Sequence, residues 1–144
     1  KQFVGRIRQG KMRSQILDYK RLEPFSASKT TLQVQWNIDE NIYKDEVYKI
    51  RGYAYKRGDM HYQYVTSIVL VNEGGKAYEF ETQQEERVDV AFSFPDEHYL
   101  YNTGFVCYIS RSVIEDSEKF DVIIRLTNQF NKDDIIDIMT GQEI

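Results

Sequence analysis

A chain of 144 residues suits one domain with room for a sizeable core. A mean hydropathy of −0.59, two prolines and no apolar run near the roughly 18 residues of a spanning helix exclude a proline-rich linker and a helical membrane span. The net charge of −4 is unevenly placed: residues 1–29 hold eight Lys and Arg against Asp18 and Glu23, a balance of +6, and the rest holds 11 basic and 21 acidic residues, a balance of −10.

A basic leader on an acidic body points to contact with something anionic: a membrane surface, an anionic polymer or the body itself. A solvated tail is the plain alternative. The chain opens on Lys1 with neither Met nor a signal-type apolar stretch, which reads as a piece of something longer or a processed chain. Residues 1–29 therefore read as a basic stem, irregular at first because Gly5 and Gly10 weaken any helix, then a short helix over Lys11–Arg21 that ends near Pro24. Residues 30–144 read as the folded domain.

After the polar break at 26–30, Thr31–Ile38 alternates strictly. Leu32, Val34, Trp36 and Ile38 share one face, and Trp36 is expected in the core with them. The acids of 39–46 (Asp39, Glu40, Asp45, Glu46) read as a solvated loop, since the spacing and turn glycine of a calcium loop are absent. Tyr48–Tyr55 reads as a central strand. Ile50, Gly52 and Ala54 point inward, and Lys49, Arg51, Tyr53 and Tyr55 point outward. Arg57-Gly58-Asp59 is a turn. Tyr62 and Tyr64 precede an apolar strand over 65–72. Asn72-Glu73-Gly74-Gly75 turns it back into 76–82, where Tyr78 and Phe80 oppose Ala77, Glu79 and Glu81.

Val88, Val90, Phe92 and Phe94 alternate with Asp89, Ala91 and Ser93, predicting a strand over 88–94 on which Arg87 and Asp89 share a face and can pair. A loop over 95–103 carries His98, Tyr99 and Tyr101. Gly104 is expected in a conformation closed to other residues, opening a strand to Ile109. A one-turn helical crossover with Val113 and Ile114 dipping inward is predicted over 110–118, then strands over 120–127 and 135–139. About eight strands spaced by turn signals predict an all-β antiparallel sandwich with an irregular or short helical N-terminal extension.

The chemistry-bearing residues do not cluster into a catalytic motif. The single cysteine, Cys107, alternates with Phe105 and Ile109, which reads as a buried hydrophobe. It gives no disulfide, and that leaves compartment open. His61 and His98 stand 37 positions apart and suggest no metal cluster. No nucleophile elbow, phosphate loop or dinucleotide fingerprint is present, so neither an enzyme nor a cofactor is expected. Nucleic acid is disfavoured by the acidic body. The 14% aromatic content is rich in Tyr, and Arg51, Tyr53, Tyr55, Tyr62, Tyr64, His98, Tyr99 and Tyr101 form the candidate carbohydrate-binding set, because sugar rings stack on aromatic faces. A tyrosine-rich sheet surface covered by loops or a partner is the structural alternative.

One resemblance adds to this. The succession Ile50-Arg51-Gly52-Tyr53-Ala54-Tyr55, Ser67-Ile68-Val69-Leu70-Val71, Lys76-Ala77-Tyr78-Glu79-Phe80, Arg87-Val88-Asp89-Val90 and Tyr101-Asn102-Thr103-Gly104-Phe105 resembles the immunoglobulin-like accessory modules of bacterial cell-envelope glycosyltransferases of the teichoic-acid type, over about residues 32–140. The resemblance implies a non-catalytic module that contacts glycan or anionic glycopolymer, or that serves protein–protein contact or homo-oligomerisation, in a membrane-associated protein of the envelope. Here it stands without a glycosyltransferase domain. Beside it, Gly52 has a plain physical reading: it lets another backbone approach the strand closely.

Overall fold

The computed structural model describes residues 19–22, 25–27, 33–58, 63–97, 100–114 and 119–144. Among them stand nine strands in two sheets. One sheet runs β1-β5-β4-β8-β9, with β1 Tyr19–Arg21, β4 Tyr64–Val71, β5 Ala77–Glu81, β8 Asp121–Asn128 and β9 Ile135–Glu143. The other runs β2-β3-β7-β6, with β2 Val34–Lys44, β3 Val47–Lys56, β6 Gln83–Glu85 and β7 Gly104–Ser110. Every pairing is antiparallel, and the all-β sandwich expected from the turn spacing is the fold.

Period-two patterning supplies the core. Ile50 and Ala54 of β3 and Phe105, Cys107 and Ile109 of β7 face Ile68 and Leu70 of β4, Tyr78 and Phe80 of β5, and Ile124 and Leu126 of β8. Each fully covered side chain of this size contributes about 2 kcal/mol. Trp36 packs against the same core from β2, as its register predicts. Gly52 is a site of close approach: a Cβ there would overlap the Asn37 carbonyl oxygen of β2.

The sheet edges are blunted. β1 and β6 are three residues long. β2 shifts register between Ile38 and Glu40, and β9 shifts opposite Val122 and Ile123, beside Gly141 at φ +76°. Short strands and bulges deny an approaching strand a regular ladder. Asn41 of β2 also donates to Gln142 and to the Glu143 carbonyl, tying the two bulged edges together.

Four local expectations are corrected. Tyr19–Arg21, read as the end of a helix, is a strand on β5, because pairing with Tyr78–Phe80 and ring contacts from Tyr19 to both outweigh weak helix propensity. The remainder of the predicted helix lies outside the described residues. The acidic stretch 39–46 continues β2 as far as Lys44, and its charges face cations on β3, with Glu40 2.9 Å from Lys49. The chain turns only at Asp45 and Glu46, both at positive φ (54° and 65°), which is the primed geometry of a two-residue hairpin.

Val88–Ser93 is a helix, α1, rather than a strand. The spacing Val88, Val90, Phe92, Phe94 also satisfies a helix, placing Val90 and Phe94 on one side and Val88 and Phe92 on the other. Gly104 is not at positive φ. It is constrained by space, since a Cβ would strike the Arg87 side chain and the Glu85 carbonyl. The 72–75 turn holds, with Gly75 at φ +88°, and a 3₁₀ turn at Arg111–Val113 leads to buried Ile114, while 115–118 lie outside the described residues; β6 was not foreseen, and the last strand runs on past Met139 to Glu143.

Candidate binding surfaces

Among the described residues, the sequence-predicted set is divided between the two sheets. Arg51, Tyr53 and Tyr55 do share the outer face of β3, but that face is covered in part. Tyr55 is 2% exposed and packs with Val90 of α1 and Leu100. Tyr53 is half-buried, with the Arg87 guanidinium 5.3 Å from its ring centroid. Arg51 donates to Glu85 at 2.8 Å, and that bond holds its guanidinium above the usual value. Tyr64 sits on the other sheet, packs against the core and donates to Asp134 at 2.7 Å. Tyr101, 51% exposed, remains open. Tyr62, His98 and Tyr99 lie outside the described residues, as does His61.

α1 is what closes this face. Arg87 makes a two-bond fork with Asp89 at 2.8 Å and a further bond to Asp39 of β2 at 2.7 Å. The pairing of Arg87 with Asp89 was legible in sequence; the third member was not. The hydrogen bonds from Arg87 hold the Asp89 carboxyl down at about 2. Its contribution to stability is therefore present above the ordinary 3.8 and is lost as pH falls through about 2. Carbon-13 titration of Asp89 is expected to give a midpoint near 2 that returns towards 3.8 in Arg87→Met; an unchanged midpoint in the variant would refute the pairing.

Tyr55 responds at the opposite end of the scale. Burial, with help from the charge of Glu97, raises its phenol to about 12. A raised pKa gives stability that is whole below 10 and lost as pH rises through about 12. Phenolate absorbance is expected to show one tyrosine ionising late and together with unfolding, a component absent from Tyr55→Phe.

The outer face of the five-stranded sheet carries a second, concave surface that the sequence reading missed. Two cross-strand rows form its floor. Glu81, Ser67, Arg125 and Asp137 stand in register across β5, β4, β8 and β9, and Val65, Thr127 and Ile135 form the next row. With Lys20 and Leu22 at the β1 side and Lys132 at the other, these residues line a groove of about 630 Å³, except Asp137, which lies buried beneath Arg125. That lies within the size range of small-molecule sites.

Its polar groups are fixed. Arg125 donates to Asp137 through Nε at 2.8 Å and Nη2 at 3.0 Å, and Asp137 is 0% exposed. The Phe25 ring lies 5.5 Å from the Arg125 guanidinium, so part of the segment after β1 crosses this face. Glu79 accepts from the Ser67 hydroxyl through Oε2 at 2.6 Å; its Oε1 lies 3.5 Å from Lys20 Nζ and 3.9 Å from Arg125 Nη1. The signal that could have found this site is a charged residue inside each of two apolar strands joined by a short turn: Arg125 within 122–126 and Asp137 within 135–138.

Among the described residues no group of three His, Cys, Asp or Glu side chains is placed to hold a metal ion. Cys107 is buried, its Sγ 3.5 Å from the Glu81 carbonyl, and burial pushes the thiol well above its ordinary range, away from the reactive thiolate. Among the described residues no helix is long and apolar enough to cross a membrane. Comparison with known proteins gives no match, whether to a family model, a curated protein or a solved structure.

Proposed function

We propose that this β-sandwich is a non-catalytic binding module that contacts glycan through the groove on the outer face of the five-stranded sheet. The observation that carries the reading is the groove itself: about 630 Å³, with a preset Glu79–Ser67–Arg125–Asp137 network beside apolar Val65 and Ile135. A sugar ring offers hydroxyls at its rim and C–H faces above and below, so it matches a floor that mixes fixed polar groups with apolar ones. Fixed groups lose little freedom when a ligand arrives.

An immunoglobulin-like role in a bacterial cell-envelope protein is part of the same proposal. It is supported by the motif succession from Ile50 to Phe105. The basic balance of residues 1–29 supports contact of that stem with a membrane surface or anionic polymer. The test is a titration of the ¹⁵N-labelled chain with soluble wall-polysaccharide fragments to millimolar concentration. Shifts at Ser67, Arg125 and Thr127 are expected; an unperturbed spectrum would sink the reading.

A second reading, a protein-interaction or oligomerisation domain, is favoured by α1. Val88 and Phe92 stand one turn apart on its open side, and Phe92 is 77% exposed. Light scattering decides it: a stable oligomer that dissociates on Phe92→Ser supports this reading, and a monomer at high concentration removes self-association.

A further inference from the structure

Resting on the glycan-binding reading, we infer that the groove selects neutral glycan and rejects polyanions. The sequence alone suggests the reverse, since its basic stem and family resemblance bring an anionic glycopolymer to mind. The groove does not share that basic excess. Among the described residues three cations line it, Lys20, Arg125 and Lys132, beside Glu79 and Glu81, with Asp137 beneath Arg125, so the charges of these described residues sum to zero.

The cation best placed to hold an anion is also committed elsewhere. Phosphate and carboxylate ligands are held by the paired N–H groups of arginine. Two of those groups on Arg125 already serve Asp137, Nη1 lies near Glu79, and the Phe25 ring covers a face. Arg125 is thus a positioning residue that fixes carboxylates rather than a free anion receptor. A polyanion entering the groove would meet Glu79 and Glu81, and among the described lining residues no uncommitted guanidinium offsets them.

What the network leaves available is an acceptor. Glu79 Oε2 is held by Ser67 at 2.6 Å, while Oε1 has only the looser approaches of Lys20 at 3.5 Å and Arg125 at 3.9 Å. A carboxylate oxygen held in place with spare capacity suits a hydroxyl donor, and hydrogen bonds to a charged acceptor are the stronger kind. Thr127 adds a hydroxyl in the next row, and Val65 and Ile135 offer apolar surface to the C–H face of a ring.

The test titrates the ¹⁵N-labelled chain separately with neutral hexasaccharides (cellohexaose, maltohexaose, chitohexaose) and with poly(glycerol phosphate), at 50 and 500 mM NaCl. Expected are shifts of the Arg125 Nε–H, Ser67 and Thr127 signals with at least one neutral sugar, an affinity that changes less than twofold between the two salts, and no groove shifts with the polyanion. Glu79→Gln is expected to weaken that sugar at least tenfold. Thr127→Val, a nearly isosteric change, is expected to weaken it severalfold and serves if Glu79→Gln fails to fold.

Groove shifts with the polyanion, fading at high salt, would overturn the selectivity and leave glycopolymer binding standing. Neutral-sugar shifts confined to Tyr53 and Tyr101 would overturn the groove as the site. Silence with every probe would overturn both the inference and the reading beneath it.

Discussion

Replacing Gly52 with alanine is expected to lower stability by about 3 kcal/mol, the upper part of the range for forced overpacking. A chain of this size should then melt about 10 °C lower. The effect is large because the obstruction is backbone. The added Cβ would overlap the Asn37 carbonyl oxygen and press on the Ile38 Cα, at 3.1 Å. A crowded side chain can rotate away, but this carbonyl belongs to the β2 strand and can move only if the strand moves. The β2–β3 pairing carries Trp36 and Ile38 against the core, so displacement there also opens the packing. Gly104→Ala offers a graded comparison: it meets the Arg87 side chain first, which can yield, and should cost less while loosening the Arg87–Asp89 fork. Thermal melts of the two variants decide it; a Gly52→Ala protein as stable as the parent would mean that β2 lies farther away than described.

Asp137→Ala is expected to cost about 3 kcal/mol in denaturant melts, because removing one partner strands a buried charge. Arg125 would lose both short bonds and keep the 3.9 Å approach of Glu79 and the Phe25 ring at 5.5 Å. The double replacement Arg125→Met with Asp137→Leu removes both charges and is expected to recover most of that loss, since buried ion pairs are often no more stabilising than apolar side chains of similar volume. The pair's contribution would then lie in fixing the groove, so the double variant should fold well and bind sugar poorly. Asp137→Ala within 1 kcal/mol of the parent would show that water reaches Arg125.

Much of the fold was legible in the sequence because the sandwich core is written in a local code. Strict alternation in Val34–Ile38, Ile50–Ala54, Phe105–Ile109 and 120–127 places one face inward whatever the neighbours are, and glycine turns such as 72–75 mark the reversals. Gly52 as a point of close approach and Cys107 as an inert core residue followed from the same pattern.

Tertiary structure decided what alternation cannot encode. Spacing of two along Val88–Phe94 fits strand and helix alike, and the contact of Val90 with Tyr55 and Leu100 goes with the helix. The acids of 39–46 resemble a loop until β3 brings Lys49 beside Glu40. The candidate site shows the difference most clearly. Outward-pointing tyrosines were expected to gather on one surface, yet Tyr55 is buried under α1 and Tyr64 belongs to the opposite sheet. Arg125 and Asp137, twelve positions apart, meet because the β8–β9 register sets them side by side. Composition and period determine which side chains turn inward. Which strands become neighbours, and what comes to cover an outer face, depends on long-range pairing, and the groove is made there.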